Sequence, residues 1–382
     1  KVDKDKFGNY RAISSEPSSK KLLNSINFGF FPRIRIHGGK GVTEEQKKVS
    51  AIMEAFERYC GKYQGTEYEI SGSYKKLKKY AVDPKRFVIG RTEFDNYSDD
   101  LEIKWTWGYS LTKSKAVLIP SVFVYLLYFN PDNCRFPHYD SNGLASGNCI
   151  EEAVLHGMLE VIERDSMYIV RKNRLCMPSI KVTEVDNPLL VRELKDIEKN
   201  KMEYYLKYLT LDINIPIVSA YLRGYNEYGE EIHSYSVGAH PDPQIAALRA
   251  LTEARQLYHM NPFLDSKTDY MYKVCDKKIN LRDIDDGLFT YNLKECIERC
   301  VKEIDRAGYE VLVVNLSRPE VPFPVVRVLI PGLQPLDWLE FPKKSARYRE
   351  VPEKLGYKVN KMYLGLQAEY PIYPYNGTNF VF

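Results

Sequence analysis

Glutamates at helical spacing, each set beside an arginine, carry the chemistry in this chain. In the stretch Thr43 to Lys62, Ser50, Glu54 and Glu57 fall at i, i+4 and i+7 with Arg58 beside them. At about 100° per residue that spacing confines them to a narrow sector of one helix face. In the stretch Cys149 to Arg171, Glu152, His156, Glu160 and Glu163 form one stripe with Arg164 adjacent, preceded by Asn148. In Pro243 to His259, Arg249, Glu253 and Gln256 repeat the first interval. Like charges on one stripe repel weakly in water and more strongly when buried, unless a cation or a proton resolves the conflict. If the stripes converge, the cluster is all oxygen, without suitably spaced Cys or His, which suits Mg²⁺ rather than Zn²⁺ or copper. A set this dense has room for more than one ion, and paired Mg²⁺ ions most often clamp a nucleoside triphosphate during phosphoryl transfer. A nucleotide is therefore the expected cargo.

The elements that must position these side chains have their own signals. Thr43-x-x-Gln46, after Gly38-Gly39-Lys40-Gly41, is a capping box that starts the first helix, whose apolar face reads Val49, Ile52, Met53, Phe56 and Cys60. Asn148-x-x-Glu151 resembles a second capping box, and the helix after it is apolar on most other sides, which predicts burial. Asp242-Pro243 reads as an N-cap followed by proline at the first helical position. The glycines before the first two helices supply backbone N–H groups, a weak anion-binding signal taken alone. No G-x-x-x-x-G-K-[ST] loop and no G-x-G-x-x-G motif occurs, which argues against a P-loop or dinucleotide-binding enzyme.

Each feature also has a plainer reading. A single glutamate pair with a neighbouring arginine is usually an ion-paired surface; only the recurrence on three helices argues otherwise. His156 alone reads as a satisfied core histidine and His240 as a turn residue. The Lys-rich stretch Tyr74 to Lys85 reads as a solvated surface, with an acidic peptide partner as the alternative. Cys296 and Cys300, on an apolar stripe with Ile297, Val301 and Ile304, read as core thiols.

The coarse pattern elsewhere predicts one or two strands over Ala116 to Tyr128 and a helix over Leu189 to Asn200. Strands follow around Tyr204 to Leu211, Ile215 to Tyr225 and His233 to Gly238, then a helix over Leu293 to Ala307 and strands at Glu310 to Leu316 and Val325 to Ile330. Strands following one another directly predict an α+β fold with mixed or antiparallel sheets packed against helices, with the nucleotide site between helices. The 21 Pro and 22 Gly are scattered across 382 residues, so residues 1–382 read as one interwoven unit. With 55 basic and 51 acidic residues, the net charge of +4 gives no field that demands nucleic acid or an anionic membrane. No apolar run approaches the roughly 20 residues of a membrane helix and no signal-peptide pattern is present, so a cytoplasmic protein is the expectation.

Taken in order, these motifs resemble the YcaO family over about residues 10 to 340. Gly39-Lys40-Gly41 with Ser50-x-x-x-Glu54-x-x-Glu57-Arg58 is similar to its first ATP-binding motif. Ser141-Asn142-Gly143 through Asn148, Glu152 and Glu160-x-x-Glu163-Arg164 is similar to the second. Gly238-Ala239-His240-Pro241 with Arg249 to Glu253 and Gln256 is similar to the third, and Pro324 to Leu333 to the closing strand segment. Tyr258 stands where much of the family has Arg, and Ala145 where it often has Ser.

The resemblance implies ATP-dependent activation of a peptide-bond carbonyl: a nucleophile adds to the amide carbon, the oxyanion attacks the γ-phosphate, and phosphate leaves. It implies that Glu54, Glu57, Glu160 and Glu163, helped by Asn148 and Glu152, hold Mg²⁺. Lys40, Ser50, Arg58, Arg164, Glu253 and Gln256 would contact or orient ATP. No side chain is implied as a covalent catalyst, the task being positioning and charge stabilisation. The tail Asn376 to Phe382 lacks the Pro-x-Pro-x-Pro ending common in azoline-forming members. That favours the branch making a backbone thioamide from an external sulfur donor, known from glycine thioamidation of methyl-coenzyme M reductase in methanogenic archaea, often with a TfuA-like partner. A homodimer is also expected by resemblance. Azoline formation on Cys, Ser or Thr, a non-catalytic nucleotide-binding scaffold and a Mg²⁺-ATP ligase of small molecules are the alternatives.

Overall fold

The computed structural model describes residues 2–4, 10–15, 34–87, 97–128, 141–226, 228–260, 275, 277–335 and 345–357. The segment between Ser15 and Ile34 and the tail after Tyr357, on both of which the sequence reading draws, lie outside them. Among the described residues no helix is long and apolar enough to cross a membrane.

The fold is α+β, with antiparallel and mixed sheets. A three-stranded antiparallel sheet joins β1 (Val2–Lys4), β2 (Tyr10–Ser15) and β3 (Ile34–Gly39), and α1 (Glu44–Gly61) packs on it. A six-stranded sheet is built from β4 (Ile70–Ser73), β5 (Glu102–Ser110), β6 (Lys115–Pro120), β7 (Leu144–Ser146) and two late strands, β13 (Leu312–Asn315) and β14 (Val325–Leu329). Its order is β4-β5-β13-β14-β7, with β6 also paired to β5. A five-stranded sheet takes β8 (Ser179–Lys181), β9 (Glu203–Tyr208), β10 (Ile217–Tyr225), β11 (Glu231–Ala239) and β12 (Lys278–Asn280) in the order β11-β10-β9-β8-β12. Its β12–β8 pairing is parallel and the others are antiparallel.

The central element is α4 (Ile150–Asn173). It contacts β7 and β14 of one sheet, β11 of the other, and α7 (Leu293–Arg306). Met158, Leu159, Ile162 and Ile169 are fully buried along it, as the all-round apolar pattern requires. Cys296 and Cys300 pack into the same core, as expected. Helix α6 (Pro243–Met260) covers β10 and β11, with α5 (Pro188–Lys199) against its flank.

Three expectations need correction. The stretch after β6 does not continue as a strand: Pro120 ends the ladder and Ser121–Val124 form a short helix, α3, whose side chains are all buried. The second capping box is displaced by one residue. Cys149 is the N-cap of α4, and Glu152 rather than Glu151 folds back to accept from Asn148 N at 2.7 Å and Asn148 Nδ2 at 2.9 Å. The apolar side of α1 is not a buried face either: Val49 is 56% exposed and Ile52, Met53 and Phe56 are half-buried, because α1 meets β3 through Ala51 and the core of the six-stranded sheet through Cys60 and Gly61. The first capping box forms as read, with Thr43 Oγ1 accepting from Gln46 N and Gln46 Oε1 accepting from Thr43 N, both at 3.2 Å.

Candidate functional site

The polar stripes of α1, α4 and α6 meet where three strand ends come together. Four of the acidic side chains are each held by a backbone amide of another segment. Gly38 N, at the end of β3, donates to Glu54 Oε2 at 3.0 Å. Ser146, at the end of β7, donates through both its N–H (2.9 Å) and its hydroxyl (2.7 Å) to Glu57 Oε1. Gly143 N, just before β7, donates to Glu160 Oε2 at 2.9 Å, and Ala239 N, at the end of β11, to Glu163 Oε2 at 3.0 Å. The strand ends thus aim their N–H groups at the helix stripes and set each carboxylate in a defined orientation. The amides of Gly38 and Gly143 are consequently engaged by glutamates, not open to an anion as the glycine-rich turns had suggested. Gly143 is required there twice over: its φ is +77°, and a Cβ would sit 2.1 Å from the Val328 carbonyl oxygen.

The basic groups are interleaved with the acids. Lys40 Nζ reaches Glu253 Oε2 at 2.6 Å, while Lys40 N donates to Ser50 Oγ at 3.3 Å. Arg164 binds Glu160 Oε1 at 2.6 Å and Arg58 lies 3.5 Å from Glu54 Oε1, each one helical turn from its partner. Burial works against the Lys40 ammonium, but Glu253 and Glu163 outweigh it and raise its pKa. Burial likewise opposes the Glu253 carboxylate, and Lys40, Arg164 and Arg249 hold it below the ordinary range. For Glu57 and Glu163 the compensation falls short of the burial and repulsion. Burial pushes Glu57 up to about 7, aided by repulsion from Glu160 and Glu54. Burial and the Glu253 charge push Glu163 up to about 7. Burial also raises Glu54.

Of the residues read from the sequence, Lys40, Ser50, Glu54, Glu57, Arg58, Glu160, Glu163, Arg164 and Glu253 are linked by these contacts. Asn148 and Glu152 form their own pair at the start of α4, with Glu152 acting electrostatically on His156. Gln256 is half-buried one turn beyond Glu253 and, among the described residues, makes no hydrogen bond to the others. Arg249, on the third stripe but given no role by spacing alone, belongs with this set. It acts on Lys40, Glu163, Glu253, His156 and His240, and its buried Nε has no hydrogen-bond partner among the described residues. Burial, with Arg249 adding to it, pushes His156 down to about 4 and His240 down to about 3, so both rings are neutral near pH 7. Spacing already placed Arg249 four residues before Glu253; nothing in the sequence signals that the two histidines approach each other.

Tyr258 takes no part. Its ring is buried against β10, with the hydroxyl 3.4 Å from the Tyr225 carbonyl, and Gly224 leaves the space that it fills. Arg255 cannot stand in for a missing arginine, because it points the other way to Glu193 at 2.7 Å.

The donor set fits a hard divalent cation. Five carboxylates (Glu54, Glu57, Glu160, Glu163 and Glu253) lie among four cations (Lys40, Arg58, Arg164 and Arg249), and two of the acids are raised by burial and repulsion that a cation would relieve. Among the described residues no three His, Cys, Asp or Glu side chains already close round one point. Four of these carboxylates are oriented by backbone amides.

Comparison with known proteins agrees with this chemistry. The family model described as YcaO cyclodehydratase, ATP- and Mg²⁺-binding, matches residues 38–334. The chain belongs to the YcaO family. Members of this family bind ATP and Mg²⁺. Among relatives, an uncharacterized protein of Methanothermobacter thermautotrophicus is 29% identical over 323 residues, 79% of this chain and 82% of its own length. One from a tfuA 3′ region of Rhizobium leguminosarum bv. trifolii is 28% identical over 337 residues, 79% of this chain and 77% of its own. A heterocyclase solved in complex with substrate and cofactor superposes with a TM-score of 0.75 at 26% identity, covering 91% of this chain. The match covers 50% of that heterocyclase, so this YcaO chain spans about half its length. The YcaO protein of Methanopyrus kandleri, bound with AMPPCP and Mg²⁺, shares the fold with a TM-score of 0.68 at 23% identity, over 90% of this chain and 88% of its own.

Proposed function

We propose that this YcaO protein uses ATP and Mg²⁺ to activate a peptide backbone amide and converts it to a thioamide, with an external sulfur donor as nucleophile. The convergence of Glu54, Glu57, Glu160 and Glu163 on amide-held positions beside Lys40, Arg58 and Arg164 is the observation that carries the ATP-dependent part. Those four glutamates, with Asn148 and Glu152, would hold Mg²⁺, which neutralises triphosphate charge. Lys40, Ser50, Arg58, Arg164, Glu253 and Gln256 would orient the nucleotide, and Arg249 joins them on its position. When bound, ATP supplies the phosphoryl group that turns the amide oxygen into a leaving phosphate. The chain's own residues act by orientation and by charge. No side chain is required as a covalent nucleophile.

The thioamide branch is supported by the Rhizobium relative's place in a tfuA 3′ region, which also supports a TfuA-like partner, and by the methanogen relative. We take the target to be a glycine of methyl-coenzyme M reductase and the sulfur source to be sulfide or a sulfur-donor protein. A homodimer follows from the family resemblance alone. Azoline formation on a substrate Cys, Ser or Thr is the second reading, supported by the likeness to a heterocyclase. Incubation with Mg²⁺, ATP, sulfide and a glycine-containing target peptide, with and without a TfuA-like partner, separates the two by mass. Oxygen-to-sulfur exchange with ADP formation, lost in Glu54→Gln, is the expected result. Water loss without sulfur gain would replace thioamide formation by azoline formation, and ATP binding without turnover would leave a scaffold.

A further inference from the structure

At the edge of the five-stranded sheet remote from β11, β12 runs parallel to β8 with Lys278 opposite Ser179. Just before this ladder, Cys275 Sγ lies 3.7 Å from the Cys176 carbonyl oxygen. Cys275 N donates to Ser179 Oγ at 3.4 Å and Ser179 N to the Lys277 carbonyl at 3.0 Å, so the two segments are tied beside the thiols. Neighbouring strands run about 4.8 Å apart, within the roughly 4.4–6.8 Å between Cα atoms that a disulfide spans. Access differs: Cys176 is exposed and Cys275 is half-buried. The antiparallel pairings from β11 to β8 bring Cys176 to the same end of the sheet as Ala239, the amide that holds Glu163, three strand spacings or roughly 14 Å away.

We propose that Cys176 and Cys275 form a thiol site that takes sulfane sulfur from a persulfide and releases it as hydrosulfide. The proposal rests on the thioamide reading, which needs such a nucleophile. The Cys176 thiolate attacks the outer sulfur of the donor RS–SH: the bond to Cys176 Sγ forms, the donor S–S bond breaks, and RS⁻ leaves. The Cys275 thiolate then attacks Cys176 Sγ, the Cys176–Cys275 disulfide forms, and HS⁻ leaves. A small-molecule dithiol returns the pair to two thiols with two electrons and two protons.

The test treats the reduced full chain with ³⁴S-labelled cysteine persulfide and reads intact and peptide masses and released sulfide. The wild type is expected to end as the Cys176–Cys275 disulfide with labelled hydrosulfide in solution, and Cys275→Ser to stop at a labelled persulfide on Cys176. Cys176→Ser is expected to release no labelled hydrosulfide. Label on Cys134 or Cys149 instead, or no disulfide in the wild type, would overturn the site. The same preparation is assayed with free sulfide, ATP, Mg²⁺ and peptide. Exchange there with unlabelled cysteines sinks the thiol site alone, whereas a labelled, disulfide-forming pair with no exchange sinks the thioamide reading and leaves the thiol site standing.

Discussion

Lys40 and Glu253 are 213 residues apart in the chain and 2.6 Å apart in space, and their pairing joins the loop after β3 to the middle of α6. Because Lys40 also answers the charge of Glu163, the pair couples all three helices of the site. Lys40→Met should leave Glu253 and Glu163 with less compensation and weaken ATP binding by at least about tenfold, the scale of one charge-assisted hydrogen bond. Glu253→Gln should cost less, since it keeps an acceptor for Lys40. Calorimetric titration of both variants with a non-hydrolysable ATP analogue and Mg²⁺ checks the order, and equal losses would contradict it.

Ser146 holds Glu57 through two bonds, both of which pull its pKa down against burial. Cation binding requires the carboxylate, so Mg²⁺-dependent nucleotide binding should weaken as the pH falls below about 7. Ser146→Ala keeps the N–H and loses the hydroxyl. The half-binding pH should therefore move upward, and the Mg²⁺ requirement at pH 7 should rise by about tenfold. A pH series of Mg²⁺ titrations reads both effects.

Glu193 lies outside the site, fully buried between α5 and α6, with Oε2 on Arg255 and Oε1 without a hydrogen-bond partner among the described residues. Burial raises it from 4.5 to about 7. A carboxyl raised in the folded state contributes stability that is complete below its unfolded value and is lost as the pH rises through 7. Chemical denaturation from pH 4 to pH 8 should show a loss in the wild type larger than that in Glu193→Gln by on the order of 3 kcal/mol, the remainder belonging to Glu57 and Glu163. Parallel pH profiles would refute the assignment.

Arg347, on α8 (Arg347–Lys354), binds Asp165 and Asp212 with every partner buried. Asp165 sits directly after Glu163-Arg164, so this clamp braces the part of α4 that bears the stripe. Arg347→Met would strand two buried acids and should destabilise the protein by about 3–5 kcal/mol in denaturant melts. Lys at the same position should recover only part of that, because it lacks the planar fork that serves both carboxylates.

Helix boundaries, the Thr43–Gln46 cap and the three polar stripes were legible in the residues because they depend on neighbours within about one helical turn. The buried character of α4 was legible for the same reason, since its composition is apolar on nearly every side. The family resemblance, carried by motifs in order, reached the shared fold and the ATP- and Mg²⁺-binding chemistry. Local pattern failed where a partner from elsewhere intervenes. Residues 121–124 leave the strand because Pro120 ends the ladder and their side chains have a core to enter, and α1 exposes Val49 because its contacts with the two sheets run through Ala51 and Cys60.

Which amide holds which glutamate follows from the closure of distant strands upon the helices: Gly38 to Glu54, Ser146 to Glu57, Gly143 to Glu160 and Ala239 to Glu163. The same holds for Arg249 among the site cations, for Arg255 turned toward Glu193, and for Cys275 brought beside Cys176. Side-chain types and spacing state what each stripe can bind. Their convergence depends on packing among elements up to two hundred residues apart, and no periodicity within a single helix encodes the distance between two of them.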